Sequence, residues 1–298
     1  CHPPPLHPFG PIQQIASASC RRTEEAREAF SSAYLYPELE TPHPSPASRA
    51  PAEWTAMARE FALAHEADLF GATTLKESHL VEGYAIEGQP NVVMLGFSHD
   101  YDNLKQAPGT ATNGACAAEV GRQYARCTRA SYALANWIRR QGFQATPFPG
   151  PRADALLLIP AAIDAGLGEL GKHGSLINRR YGANLRLAGV TTDMPLRLAQ
   201  ADTFGADDFC LHCRVCEDAC PPDAIAEDKQ WVRGERRWYV DFDKCIPFFA
   251  ENAGCAICIA VCPWSRPGVA DNLVAKMARR REAQETASSS GSPGRAHA

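Results

Sequence analysis

Eight cysteines between Cys210 and Cys262 limit this chain more than any other feature. They fall in two runs. The first is Cys210-x2-Cys213-x2-Cys216-x3-Cys220, followed by Pro221. The second is Cys255-x2-Cys258-x3-Cys262, followed by Pro263, with Cys245 standing ahead of it. Disulfide-dense chains are short, secreted and spread their cysteines widely, so a group this tight reads as metal binding. The first run has the spacing of bacterial iron–sulfur ligation. Three closely spaced thiolates wrap a loop around one face of an iron–sulfur cube. A short loop cannot enclose all four corners, so the fourth cysteine of a run ligates the other cluster, and the proline after it turns the chain away. We therefore expect one [4Fe–4S] cluster on Cys210, Cys213, Cys216 and Cys262, and a second on Cys220, Cys245, Cys255 and Cys258. Cys245 replaces the missing first cysteine of the second run. Paired Cys-x2-Cys units also build zinc ribbons, but tetrahedral zinc calls for neither the third cysteine nor the trailing Cys-Pro. Cys1, Cys20, Cys116 and Cys127 read as small apolar or exposed side chains.

Apolar residues make up 45% of the 298 residues and charged residues 21%, the balance of a globular protein with a real core. The net charge of -4 gives no reason to expect a nucleic-acid partner. No apolar run approaches the ~18 residues of a membrane helix. The chain starts at Cys1 without an initiator methionine and reads as a fragment or a processed product. No apolar segment follows Arg21-Arg22, so the expected location is cytoplasmic, with export through a lost upstream leader as the alternative.

Pattern divides the chain into four parts. Residues 1–51 form a Pro-rich N-terminal extension with a helix near 22–34. Residues 52–204 form the first domain. There the pattern predicts a helix over 52–65, a buried strand over 91–98 and a long helix over 115–141 closed by Gly142. The inward stripe of that helix is Val120, Tyr124, Cys127, Ser131, Leu134 and Ile138. A second strand is expected over 155–159, a glycine-rich turn over 166–174 and a third strand over 185–192. Residues 205–267 hold the cysteines. A basic helix over 272–282 and a disordered-looking tail from Ser288 complete the chain. The class is α+β. Arg186 shares a strand face with Ala188 and Val190, where a charge is costly without a partner.

A bare two-cluster electron carrier needs only about 60 residues, so the long domain ahead of the cysteines is the expected receiver of the electrons. Here a resemblance becomes specific. Ala165-Gly166-Leu167-Gly168-Glu169-Leu170-Gly171-Lys172-His173-Gly174, Arg180-Tyr181-Gly182 and Thr191-Thr192-Asp193-Met194-Pro195-Leu196 resemble the core of the reductive dehalogenases. So do Cys245-Ile246-Pro247-Phe248-Phe249 and Cys262-Pro263-Trp264-Ser265-Arg266-Pro267-Gly268. The likeness runs from about Phe61 to Gly268. It implies a nitroreductase-like corrinoid-binding domain followed by a C-terminal two-[4Fe–4S] ferredoxin-like domain. The implied reaction is reductive cleavage of a carbon–halogen bond in a small organohalide. Electrons would come from a separate donor: a ferredoxin, a flavodoxin or a reductase.

The resemblance also implies site residues. Its proton-donating tyrosine falls at Tyr124 when the long helix is aligned through Trp137–Gln144, and its basic partner falls at Arg186. A cation beside a phenol stabilises the phenolate left after proton donation. Tyr132, on the same helix, is the alternative donor. Lys172, His173 and Gly174 are expected near the cobalamin or its tail, although glycine-rich turns are common without a ligand. The Asp-x-His-x-x-Gly motif that ligates cobalt is absent, since Gly83 comes one residue late after His79, so the corrinoid is expected base-off.

Two other readings compete. Epoxyqueuosine reductases, which modify tRNA, share the cluster spacings and a similar Ala-Gly-Leu-Gly segment. They carry Gly-Trp-Ile-Gly-Lys-Asn where this chain has Gly168-Glu169-Leu170-Gly171-Lys172-His173, and usually a helical-repeat tail. A non-catalytic iron–sulfur electron-transfer module is the second alternative.

Overall fold

The computed structural model describes residues 23–290, apart from 111 and 253. Residues 1–22 and 291–298, with Cys1, Cys20 and the twin arginine, lie outside the described residues. Helix α1 (Glu24–Ala33) starts at Thr23, whose hydroxyl accepts from the Ala26 N–H, and carries Glu24 and Glu25 in its first turn. Helix α2 (Pro51–Ala64) starts on a proline, tolerated there because a first-turn N–H has no intrahelical partner. Strand β1 (Leu69–Thr74) and strand β2 (Asn91–Ser98) follow. Helix α3 (Ala115–Arg140) is the longest element, with Arg139 and Arg140 favourably placed in its last turn.

Strand β3 (Ala145–Phe148), helix α4 (Leu158–Asp164) and strand β4 (Leu185–Thr192) complete the first domain. The sheet is antiparallel throughout, in the order β1-β2-β4-β3. Pro147 sits in β3, an edge strand, where a missing donor is tolerated. Helices cover both faces. Val93, Leu95 and Phe97 of β2, with Ala188 and Val190 of β4, pack under α2 and α3. Val92 and Met94, with Leu185 and Leu187, pack against α4 and the segment around Leu167. This two-sided burial is why β2 reads as apolar without alternation. Each fully buried large side chain, such as Leu95, Phe97 or Leu134, contributes about 1.5–3 kcal/mol.

Two expectations are corrected. Residues 155–159 do not form a strand. Leu156 makes one isolated antiparallel bridge to Leu80, and α4 begins at Leu158. A short apolar run is compatible with either element, and Pro160 falls in the first turn of α4, where its missing N–H costs nothing. The C-terminal helix is longer than 272–282: it runs Ala270–Ser290, through the start of the expected tail. In addition, α1 is built into the first domain, burying Ala26, Phe30 and Ala33 against α3.

The cysteine-rich module begins with helix α5 (Ala206–Cys210) and helix α6 (Val215–Asp218). A hairpin of β5 (Gln230–Val232) and β6 (Glu235–Arg237) follows. Helix α7 (Phe242–Glu251) carries Cys245 and helix α8 (Ile257–Ala260) carries Cys258. Helix α9 (Ala270–Ser290) packs back on the module through Met277, Leu273 and Val274. Among the described residues no helix is long and apolar enough to cross a membrane.

Candidate functional site

The cysteines sort themselves by proximity. Burial pushes the Cys210 thiol up, and Cys262, Cys216 and Cys213 add to the shift. Burial likewise raises Cys262, to about 12, with Cys216 and Cys213 contributing. Cys255 is raised to about 11 by burial, with Cys245 and Cys220 adding. Cys258 is raised by burial, then by Cys255, Cys216, Cys245 and Cys220. The geometry thus gathers Cys210, Cys213, Cys216 and Cys262 in one set and Cys220, Cys245, Cys255 and Cys258 in another, with Cys216 and Cys258 where the sets abut. Among the described residues no three His, Cys, Asp or Glu side chains converge as ligands of a single metal ion. Two adjoining sets of four thiols fit the donor chemistry of two cubane clusters.

The glycine-rich segment meets this module. The Glu169 carboxylate is buried, and its Oε2 accepts from the backbone N–H groups of Phe204, Gly205 and Ala206 at 2.8–2.9 Å. It thereby caps the helix that ends on Cys210. The Lys172 ammonium is buried 2.6 Å from Glu217 Oε2 and 5.4 Å from the centre of the Trp238 ring, and its backbone N–H serves Cys210. The ring of His173 is buried, its Nδ1 accepting from the Ser175 N–H while Nε2 has no partner. Gly174 lies against Val240. Lys172, His173 and Gly174 therefore stand at the junction with the first cysteine set. Residue spacing gave no sign of Glu169's part; a carboxylate ahead of a Gly-Ala helix start is too common a pattern.

The first domain brings Tyr124 and Arg186 together from 62 positions apart. Arg186 Nη1 donates to the Tyr124 hydroxyl oxygen at 3.1 Å, and the guanidinium lies 4.2 Å from the ring centre. Helical phase turns Tyr124 toward the sheet, and strand alternation puts Arg186 on the α3 face with Ala188 and Val190. Phe30 of α1 closes the other side of the phenol, 6.1 Å between ring centres. The Arg186 Nε is buried without a partner. Tyr132 is buried against Tyr36, 5.9 Å between ring centres, and burial raises its pKa.

Helix α3 also touches the second cysteine set. The Cys116 thiol is 4.0 Å from the Gly254 carbonyl oxygen, and burial followed by Cys255 raises Cys116 to about 12. Gly254 has φ +93°, and a Cβ there would stand 2.9 Å from Val120. Eight residues of helix separate Cys116 from Tyr124, roughly 12 Å along the axis. One rigid element thus spans from the Cys255 loop to the phenol.

A matching 4Fe-4S dicluster domain covers residues 209–265. The tetrachloroethene reductive dehalogenase of Dehalobacter restrictus is 32% identical over 210 residues, 66% of this chain and 37% of that protein. Over that stretch the chain is similar to the reductive dehalogenases. The enzyme of the same description from Sulfurospirillum multivorans is 29% identical over 188 residues, 60% of this chain and 36% of that protein. The chain thus spans just over a third of the length of these relatives. An epoxyqueuosine reductase from Cyclobacterium marinum is 35% identical over a shorter stretch of 122 residues, 35% of this chain and 36% of that protein. The fold matches that of the catabolic reductive dehalogenase NpRdhA, with a TM-score of 0.72 at 23% identity, over 93% of this chain and 40% of that one.

A buried acid–base pair lies beside Arg186. His99 Nδ1 lies 3.4 Å from Glu119 Oε1, close to Arg186. Burial lowers His99 to about 4 and does the same to His173. Burial alone would raise Glu119, but hydrogen bonds from His99, the Asp100 N–H and Gln123 outweigh it and hold the carboxyl at about 2. The imidazoles are neutral in the native state and reach their ordinary value near 6.5 on unfolding. Between about pH 6.5 and 4 the unfolded chain binds protons that the native one does not, so stability falls as pH falls through that window. The expected loss is about 1.4 kcal/mol per pH unit for each imidazole. Glu119 adds its own loss only below its unfolded value of 4.5. Urea midpoints at pH 7 and pH 5 check this, and an unchanged midpoint contradicts it.

Proposed function

We propose that this chain is the reaction-centre portion of a reductive dehalogenase acting on a small organohalide. The overall step consumes a carbon–halogen bond, two electrons and a proton, and yields a carbon–hydrogen bond and halide. The two cysteine sets would hold the clusters, which would supply electrons one at a time from a separate donor. A corrinoid, when bound, supplies a low-valent cobalt centre reducing enough for carbon–halogen cleavage. The buried, unpartnered Arg186 Nε beside Tyr124, with the unpartnered Nε2 of neighbouring His99, makes this a polar site suited to such a ligand. His173 Nε2 is a candidate contact for its polar periphery, while Lys172 serves the first cluster.

Tyr124 gives its proton to the carbon that loses halide. Its oxygen accepts from Arg186, which leaves the O–H proton free to point at substrate, and negative charge forming on that oxygen faces the guanidinium at once. Phe30 and the sheet flank the part-buried phenol. The Tyr124–Arg186 hydrogen bond, on the helix that touches the Cys255 loop, is the observation that carries this reading. NpRdhA has been solved with 3-bromo-4-hydroxybenzoic acid, and the curated relatives are described as acting on tetrachloroethene, so both aryl and alkenyl halides belong in the test. Anaerobic reconstitution with iron, sulfide and cobalamin, with titanium(III) citrate as reductant, should release halide from at least one of them. No halide from any substrate, in protein carrying a full iron load, removes the proposal. Conversion of epoxyqueuosine-containing tRNA instead would transfer the chain to the other activity.

A further inference from the structure

We infer that electrons enter through a groove on the cysteine-rich module that receives a small acidic electron-carrier protein. The inference rests on reading the eight cysteines as two clusters fed from outside. Of the four cysteines assigned to the first cluster, Cys210, Cys216 and Cys262 are buried and Cys213 alone is not. Cys213 opens onto a groove of about 420 Å³ whose apolar floor includes Val215, Pro263 and Met277. Val215 is 41% exposed and neighbouring Leu211 53%, an unusual amount of apolar surface beside a cluster ligand. Lys276 and Arg280 of α9 form the rim. Both are exposed, and among the described residues no carboxylate pairs with either. Arg214 adds no positive charge to the rim, being outweighed by its partners Glu217, Asp218 and Glu227.

The partner is fixed by this chemistry. An apolar floor around a cluster ligand suits a close, short-lived redox contact, and a positive rim on a chain of net charge -4 selects an acidic partner. A larger groove of about 950 Å³ on the same module is bounded by Asp223, Glu227 and Asp241 as well as Arg233 and Lys244. Its mixed charge selects no sign of partner. From the Cys213 side an electron passes across the abutting Cys216 and Cys258 to the second set, beside α3. With a flavodoxin as carrier, each hydroquinone is oxidised by one electron to its semiquinone while one cluster is reduced by one electron. Two encounters supply one turnover.

The test mixes hydroquinone of an acidic flavodoxin with the cluster-loaded protein at low ionic strength and follows bleaching of cluster absorbance. The double variant Lys276→Glu/Arg280→Glu should slow bleaching about tenfold or more, and added salt should erase the difference. Bleaching by titanium(III) citrate and the iron content should stay at parental values. Lys276→Gln/Arg280→Gln should fall between, which guards against a folding artefact. Parental bleaching in both variants overturns the proposal, as does loss of rate in Arg233→Glu/Lys244→Glu instead. Charge-dependent binding of tRNA or anionic vesicles with no flavodoxin effect also overturns it. Bleaching needs no halide chemistry, so failure here is distinguishable from failure of the dehalogenase assignment.

Discussion

Tyr124→Phe should keep both clusters and lose turnover by about 10²–10⁴-fold, the usual contribution of a positioned general acid. The substitution leaves the ring, so the packing against Phe30 and the guanidinium stacking persist. What disappears is the O–H and the acceptor for Arg186 Nη1. A part-buried donor left without its partner costs about 1–2 kcal/mol of stability, well short of unfolding the domain. Halide release with titanium(III) citrate measures the rate, and iron content and the cluster spectrum report integrity. Tyr132→Phe is the control. Its ring lies about 12 Å further along α3 and packs on Tyr36, away from Arg186, so it should keep the parental rate. Parental turnover in Tyr124→Phe with loss in Tyr132→Phe would reverse the assignment.

Glu169→Ala should be the most damaging single change that touches no cysteine. One carboxylate oxygen satisfies three consecutive N–H groups where the chain enters the cysteine-rich module. Buried donors left unmade cost about 1–3 kcal/mol each, so a loss of about 3 kcal/mol or more is expected even after partial relaxation. The change also frees the start of the helix that ends on Cys210. Iron content should therefore fall toward half, with the first cluster lost and the second retained. Glu169→Gln keeps one acceptor oxygen and should retain more iron than Glu169→Ala. Full iron and an unchanged urea midpoint in Glu169→Ala would show that the cap is dispensable.

These two residues mark the limits of what a sequence displays. Strands β2 and β4 were legible to the residue, because both are buried on two faces and bounded by polar or turn residues. The long helix was legible from its stripe and from Gly142. Strand β3 was not, because Pro147 argues against a strand unless it is known to be an edge. Residues 155–159 misled because five apolar residues fit a strand or the start of a buried helix equally well. Tyr124 and Arg186 could be nominated through a family likeness, and phase and alternation gave each an inward face. Their hydrogen bond depends on how α3 crosses β4, which no local pattern encodes. The sequence shows Glu169 only as part of a glycine-rich turn, and points Lys172 toward the corrinoid rather than toward Glu217. Their partners are Phe204, Gly205, Ala206 and Glu217, set by the docking of one domain on another.

Helix α1 crosses α3 at Gly121, where a methyl group would stand 2.9 Å from Ala29 and from the Phe30 nitrogen. That close crossing brings Phe30 over Tyr124. The cover on this side of Tyr124 is thus a helix clamped at one glycine, while the phenol and its cation belong to α3 and the sheet. What covers the phenol and what positions it are consequently separable in evolution. Drift in α1 can change what covers Tyr124 while leaving the phenol and its arginine unaltered.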